Sequence, residues 1–198
     1  WFPPFRRSVV TGVRSPLGME VIADMILVPL MPEQILTLDE PFVLDKFLEA
    51  GRLAERYGAK LLGLGAYAAS VGRKGVYLAK RLRVPLTTGS SYTIAIVIEA
   101  IVEACKTVGI ELKEATVAVV GATGTIGRIC TQLMARDARH LLLVARNRQR
   151  LQDLIQLLAD EGHAVTASVV DLDAAVANAD VIITATNTPA ALIDVRKL

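Results

Sequence analysis

Three glycines at the spacing G-x-x-G-x-x-G (Gly121, Gly124 and Gly127) follow the apolar run 116–120. They open an apolar-periodic segment through Ile126, Ile129, Cys130, Leu133 and Met134. A buried strand, a tight turn and a helix start in that order can hold a pyrophosphate. Gly121 permits a backbone turn that a Cβ would hinder. Gly124 lets main-chain N–H groups approach the phosphates, and Gly127 lets the helix lie close on its strand. The helix start adds N–H groups without intrahelical partners and the positive end of the helix dipole. Gly121, Ala122, Thr123, Gly124, Thr125, Ile126 and Gly127 are therefore read as cofactor-binding. A glycine-rich turn can also serve packing alone. The second apolar run at the expected distance, 141–144, favours the dinucleotide.

The end of that second run tells which dinucleotide is expected. An NAD site carries Asp or Glu there, for the ribose 2′-hydroxyl. Here the residues are Ala145, Arg146, Asn147, Arg148, Gln149 and Arg150, with three guanidinium groups and no carboxylate. Guanidinium suits a 2′-phosphate through charge-assisted, often bidentate bonds, so the cofactor expected is NADP. Ala145, Arg146 and Asn147 are read as its ribose edge, with Arg148 and Arg150 at least partly solvated. At the exit of the last apolar run, Thr184, Ala185 and Thr186 join the cofactor set. With Asn187 they are expected to face Thr87, Thr88, Gly89 and Ser90 across the nicotinamide end, because ligands of parallel sheets lie outside the carboxyl ends of strands. Thr87, Thr88, Gly89 and Ser90 are the substrate candidates; ordinary strand exits with hydroxyl caps are the other reading.

The elements that must position these residues alternate. Strands are predicted over 5–14 and 19–30, an amphipathic helix over 41–57, a strand over 59–65, a small-residue loop over 66–72 and a helix over 73–82. A strand over 84–87 and a long helix ending near Val108 follow. After a linker at 110–115, strands are predicted at 116–121, 140–145, 164–170 and 181–186, with helices at 125–137 and 147–161. The fold expected is α/β: an NAD(P)-binding Rossmann doubly wound parallel sheet, preceded by a smaller α/β lobe. The domains are set at 1–110 and 111–198, the second breaking off before the usual six strands.

Composition agrees with a double-sided core. Over 198 residues, 53% are hydrophobic and mean hydropathy is +0.45, yet charges interrupt every apolar run short of a membrane span. The excess belongs to the core, an oligomer interface or an apolar substrate tunnel. A net charge of +2 gives no case for nucleic acid. Cys105 and Cys130 have no metal-ligand spacing, no metal is expected, and His140 and His163 are read as structural. No secretory signal is read, and a cytoplasmic location is expected. The chain opens on Trp1 rather than Met and is expected to belong to something longer.

Several motifs together resemble the cyanobacterial long-chain fatty acyl-[acyl-carrier-protein] reductases. They are Leu-Gly-Leu-Gly-Ala at 62–66, Leu-Thr-Thr-Gly-Ser-Ser-Tyr-Thr at 86–93, Glu-Ala-Cys-Lys-Thr-Val-Gly-Ile at 103–110, the segment 115–127 and Ala-Arg-Asn at 145–147. The resemblance runs from about Met19 onward and extends, more remotely, to the shikimate/quinate dehydrogenase and glutamyl-tRNA reductase group. It implies NADPH-dependent reduction of a fatty acyl thioester, on acyl-carrier protein or coenzyme A, to a fatty aldehyde through a cysteine thioester. In that family the cysteine lies C-terminal to the nucleotide lobe, so Cys105 and Cys130 are not expected to serve and the catalytic residue is left open. Arg73, Lys74, Lys80, Arg81 and Arg83 would then form a basic helix face that steers an acidic carrier protein, or a solvated one. Two alternatives stay open. One is a shikimate/quinate- or amino-acid-dehydrogenase-like NADP enzyme, which would want a Lys and an Asp around the substrate hydroxyl. The other is a non-catalytic cofactor-binding fragment.

Overall fold

Residues 5–27 alternate β-branched, apolar and charged side chains around Ser15-Pro16-Leu17-Gly18, a sequence made for a reversal. They form an antiparallel hairpin, β1 (Phe5–Arg14) and β2 (Glu20–Leu27), closed by Ser15, whose hydroxyl oxygen accepts from the Met19 N–H at 3.1 Å. The computed structural model describes residues 1–186, 188 and 192–194. They divide into two compact units, Trp1–Gly89 and Ser90–Leu198.

In the first unit, Pro32 opens the short helix α1 (Pro32–Thr37) and Pro41 the long helix α2 (Glu40–Arg56). A proline is tolerated there because the first N–H groups lack intrahelical acceptors anyway. α2 buries Val43, Leu44, Phe47, Leu48, Ala50, Gly51 and Ala54, a stripe at helical spacing. It packs around Leu64, Val71, Leu78, Leu82 and Val84. The strands of this lobe are shorter than predicted: β3 (Leu62–Gly63) and β4 (Leu86–Thr87) pair in parallel over two residues each. Glu55 in α2 secures the approach to β4, accepting the N–H groups of Arg83 at 2.5 Å and Val84 at 3.2 Å.

The single helix predicted over 73–82 is not formed. Its place is taken by a 3-10 turn at Ala66–Ser70 and two one-turn helices, α3 (Val71–Lys74) and α4 (Val76–Ala79). Gly72, Arg73, Lys74 and Gly75 have φ of 57°, 55°, 60° and 82°. Four consecutive left-handed residues reverse the helical sense, and Arg73 and Lys74 bear the Cβ–carbonyl crowding of that region. The basic residues therefore do not line one helix face. Arg81 instead lays its guanidinium 3.6 Å from the Tyr77 ring centroid.

The second unit starts with α5 (Ser90–Val108), so the compact units part earlier than the 110/111 boundary drawn from the linker. Ile94 of α5, with Val97, Ile98 and Ile101 against the same cluster, belongs to the core of β5 (Thr116–Val120). The chain then runs through α6 (Thr125–Met134), β6 (His140–Val144), α7 (Arg148–Asp160), β7 (Thr166–Val169), α8 (Leu172–Asn178) and β8 (Val181–Thr184). The four strands lie parallel in the order β7-β6-β5-β8. Val117 and Val119 share one core with Leu141 and Leu143 of β6, α6 and α7, whereas Ala118 and Leu142 share another with Ala175 of α8. Alternate side chains of one strand thus feed opposite layers. Both layers are apolar, as a parallel sheet covered on two faces requires. This is a doubly wound Rossmann sheet preceded by a smaller α/β lobe. Its order reverses beside β5, where the chain passes from the β6 side to the β8 side. Among the described residues no helix is long and apolar enough to cross a membrane.

Candidate dinucleotide site

β5, β6 and β8 end at the same edge of the sheet, and the glycine turn lies over that edge. The N–H groups of Gly121 and Ala122 donate to the carbonyl of Val144 at 2.7 and 3.2 Å, and Ala185 donates to Val120 at 2.8 Å. The turn, the β6 exit and the β8 exit are thereby tied together at the reversal point, the place where such sheets bind dinucleotides.

Two of the three glycines have backbone reasons to be glycine. Gly121 has φ of 86°, and a Cβ there would stand 2.4 Å from the Ala185 carbonyl oxygen. At Gly127, a Cβ would meet the Gly121 carbonyl oxygen at 2.2 Å and the Ala122 Cα at 3.1 Å. The helix can approach the turn only without a side chain at that point. Thr131, fully buried one turn on, donates its hydroxyl to the Gly127 carbonyl at 2.8 Å. Gly124 differs. Its φ is −74°, and a Cβ would lie 3.2 Å from the Gly121 carbonyl and 3.6 Å from that of Ala185. It is the N-cap of α6 and donates its own N–H to Gly121 at 2.9 Å. Ala122 is buried in the core; Thr125 and Ile126 begin the helix, whose first N–H groups have no intrahelical acceptor.

Beyond β6, Ala145 packs against the core while Arg146 and Asn147 are exposed. Asn147 caps α7, its side-chain oxygen accepting the Arg150 N–H at 3.0 Å. Among the described residues no carboxylate forms an ion pair with Arg146. A cavity of about 250 Å³ adjoins the turn, lined by Thr123, Arg128, Arg150, Asp153 and Leu154. Arg128 lies outside the residues that the glycine spacing selects, and Arg150, expected to be partly solvated, lines this cavity too. The signal for Arg128 is its position directly after Gly127, on the first turn of α6. A larger cavity of about 450 Å³ lies at the opposite, amino-terminal edge of the strands, around Arg136, Arg139 and His163. Ligands of parallel sheets lie outside the carboxyl ends, so it is not assigned to the cofactor.

Thr184 ends β8, pairing in register with Val120, and the Thr186 hydroxyl oxygen accepts from the Thr188 N–H at 3.3 Å. Asn187 lies outside the described residues. Thr87 ends β4, its hydroxyl accepting the Gly89 N–H at 3.2 Å, and Ser90 opens α5. Cys105 and Cys130 are buried, and desolvation pushes both thiols up; a thiol that stays protonated is a poor nucleophile. His140 Nδ1 lies 2.6 Å from the Thr166 hydroxyl, and His163 lies beside Glu161 at 3.2 Å.

Residues 103–198 match the family described as shikimate / quinate 5-dehydrogenase. The chain is 30% identical over 173 residues to the long-chain acyl-[acyl-carrier-protein] reductase of Synechococcus elongatus, an alignment covering 82% of this chain and 49% of that protein. It is 28% identical over 167 residues to the glutamyl-tRNA reductase of Actinobacillus succinogenes, covering 80% of this chain and 37% of that one. It spans less than half the length of either relative. The chain carries a dehydrogenase- or reductase-like NAD(P)-binding domain, similar to that of the shikimate/quinate dehydrogenases.

Proposed function

We propose that the chain binds NADP and serves in the reduction of a fatty acyl thioester, carried on acyl-carrier protein or coenzyme A, to a fatty aldehyde. The observation that carries the cofactor is the cationic rim of the glycine turn. Arg146 stands exposed at the β6 exit where an NAD site has its carboxylate, and Arg128 and Arg150 line the cavity beside Thr123. The turn fits a dinucleotide, since its backbone is bare at Gly124, where only ordinary to tight contacts would meet a side chain. When bound, NADPH would supply hydride to the thioester carbonyl. The turn and the start of α6 would hold the pyrophosphate, and Arg146 and Arg150 the 2′-phosphate. Thr184, Ala185 and Thr186 would lie along the nicotinamide ribose, while Thr87, Thr88, Gly89 and Ser90 would contact the substrate. Cys105 and Cys130 are buried and desolvation pushes both thiols up, which argues against either as the acceptor of the acyl group.

The acyl substrate rests on the similarity to the Synechococcus reductase over most of this chain. A second reading, an NADP-dependent dehydrogenase of a small hydroxy or amino acid, is favoured by the shikimate/quinate match over 103–198. Calorimetric titration of NADPH and NADH into wild type and Arg146→Ala tests the cofactor. Loss of one charge-assisted contact should weaken NADPH by about 10- to 100-fold and leave NADH little changed. Equal affinity of wild type for the two would refute the 2′-phosphate assignment. Oxidation of NADPH by a fatty acyl thioester but not by 3-dehydroshikimate separates the two substrate classes.

A further inference from the structure

We propose, on the reading that NADP is the cofactor, that Arg128 and Asp153 set the affinity for its 2′-phosphate with opposite signs. Arg128 is a second guanidinium that grips the phosphate from α6, and Asp153 is a carboxylate of α7 that opposes it.

The two helices cover the same layer of the sheet, since Cys130 and Met134 of α6 share a core with Leu151, Leu154 and Leu158 of α7. Beside Thr123 of the turn they leave the cavity of about 250 Å³ that Arg128, Arg150 and Asp153 line, with the buried Leu154 as its apolar wall. A pocket for a whole ligand of drug size holds about 300–1,000 Å³. This one is too small for a dinucleotide and takes one group of it. Arg150 stands on the first turn of α7, just past the β6 exit, and the group of NADP that lies by the exit of the second strand is the 2′-phosphate.

The charges of the lining point to the same group. Arg128 and Arg150 are exposed, and among the described residues no carboxylate forms an ion pair with either. Guanidinium forks match phosphate oxygens in geometry as well as charge. Asp153 instead accepts the Gln149 side-chain amide at 3.0 Å, one turn back on α7. Two cations against one anion leave the lining at +1. A phosphate with about two negative charges is drawn to that lining, and Asp153 subtracts from the attraction. A ribose 2′-hydroxyl, which is uncharged, gains nothing from either. A residue that only supported the fold would not move one nucleotide and spare the other.

Calorimetric titration of adenosine 2′,5′-bisphosphate and of 5′-AMP into the 198-residue chain reads the 2′-phosphate by itself. Wild type should prefer the bisphosphate. Arg128→Ala should weaken the bisphosphate by about 10- to 100-fold and leave 5′-AMP little changed. Arg128→Lys keeps the charge without the fork and should fall between the two. Asp153→Asn keeps the size and the acceptor for Gln149, and should strengthen the bisphosphate by about 2- to 5-fold. Arg136→Ala, an equal loss of charge at the opposite edge of the strands, should change neither nucleotide. If Arg128→Ala weakens both nucleotides alike, Arg128 serves the 5′-phosphate and the proposal is overturned. Unchanged bisphosphate binding by Arg128→Ala, or weaker binding by Asp153→Asn, would overturn it as well. In each of these cases a wild-type preference for the bisphosphate leaves NADP standing as the cofactor. A wild type that binds the two nucleotides alike would sink NADP and this proposal together.

Discussion

Replacing Gly121 and Gly124 separately by alanine distinguishes a glycine needed for packing from one needed for a ligand. At Gly121 the backbone has φ of 86°, and the new Cβ would stand 2.4 Å from the Ala185 carbonyl oxygen and 2.9 Å from its carbon. The left-handed conformation costs a Cβ-bearing residue about 1–2 kcal/mol. A clash against backbone, which cannot rotate away, adds about 1–3 kcal/mol of overpacking. Gly121→Ala should therefore lose about 2–5 kcal/mol of stability, with the β8 exit pushed away from the turn. At Gly124 φ is −74°, and the nearest contact of a new Cβ is 3.2 Å. Its cost should stay within about 1 kcal/mol, the usual size of an N-cap change from glycine. A methyl group there stands where the phosphates must approach the main chain, so NADPH affinity should drop at least tenfold with the fold intact. Urea unfolding of both variants, with and without NADPH, reads the two quantities. Gly121→Ala within about 0.5 kcal/mol of wild type would refute the packing argument. Unchanged NADPH binding by Gly124→Ala would refute the phosphate role of the turn and leave the glycines with packing alone.

Two further outcomes are expected. The Arg83 and Val84 N–H groups donating to Glu55 hold its carboxyl below the usual value. A depressed folded-state pKa gives stability that is present above the unfolded pKa and lost as pH falls through the folded one. The melting temperature of wild type relative to Glu55→Gln should thus be highest near neutrality and shrink on acidification; a difference independent of pH would refute the ionic contribution. Cys105 and Cys130 should resist an aromatic disulfide reagent at neutral pH until the chain unfolds, and neither should acquire a thioester from acyl-coenzyme A. Rapid stoichiometric labelling of the native chain would refute their exclusion as nucleophiles.

Local signals were sufficient for the Rossmann unit. The apolar run 116–120, the glycine spacing and the periodic helix 125–134 are properties of adjacent residues, and each is legible without knowing what lies across the sheet. The absence of a carboxylate after β6 is local too. The strand order β7-β6-β5-β8, with α8 on the opposite layer from α6 and α7, is consistent with the expected topology because right-handed crossovers leave few other arrangements. Tertiary structure decided what depends on distant partners. Glu55 gains its role only when residues 83 and 84 come to it. Arg128 comes to line a cavity only when α6 and α7 meet beside Thr123. The segment 73–82 reads as one helix because Arg, Lys, Leu and Ala all favour helix. Gly72 and Gly75 are the available signal, both with positive φ, and Leu78 and Leu82 after them pack into the small core. In the hairpin, Val9 and Val10 stand side by side, so alternation alone assigns no face. The register shifts on either side of them do, since one extra residue in a strand sends every later side chain to the other side.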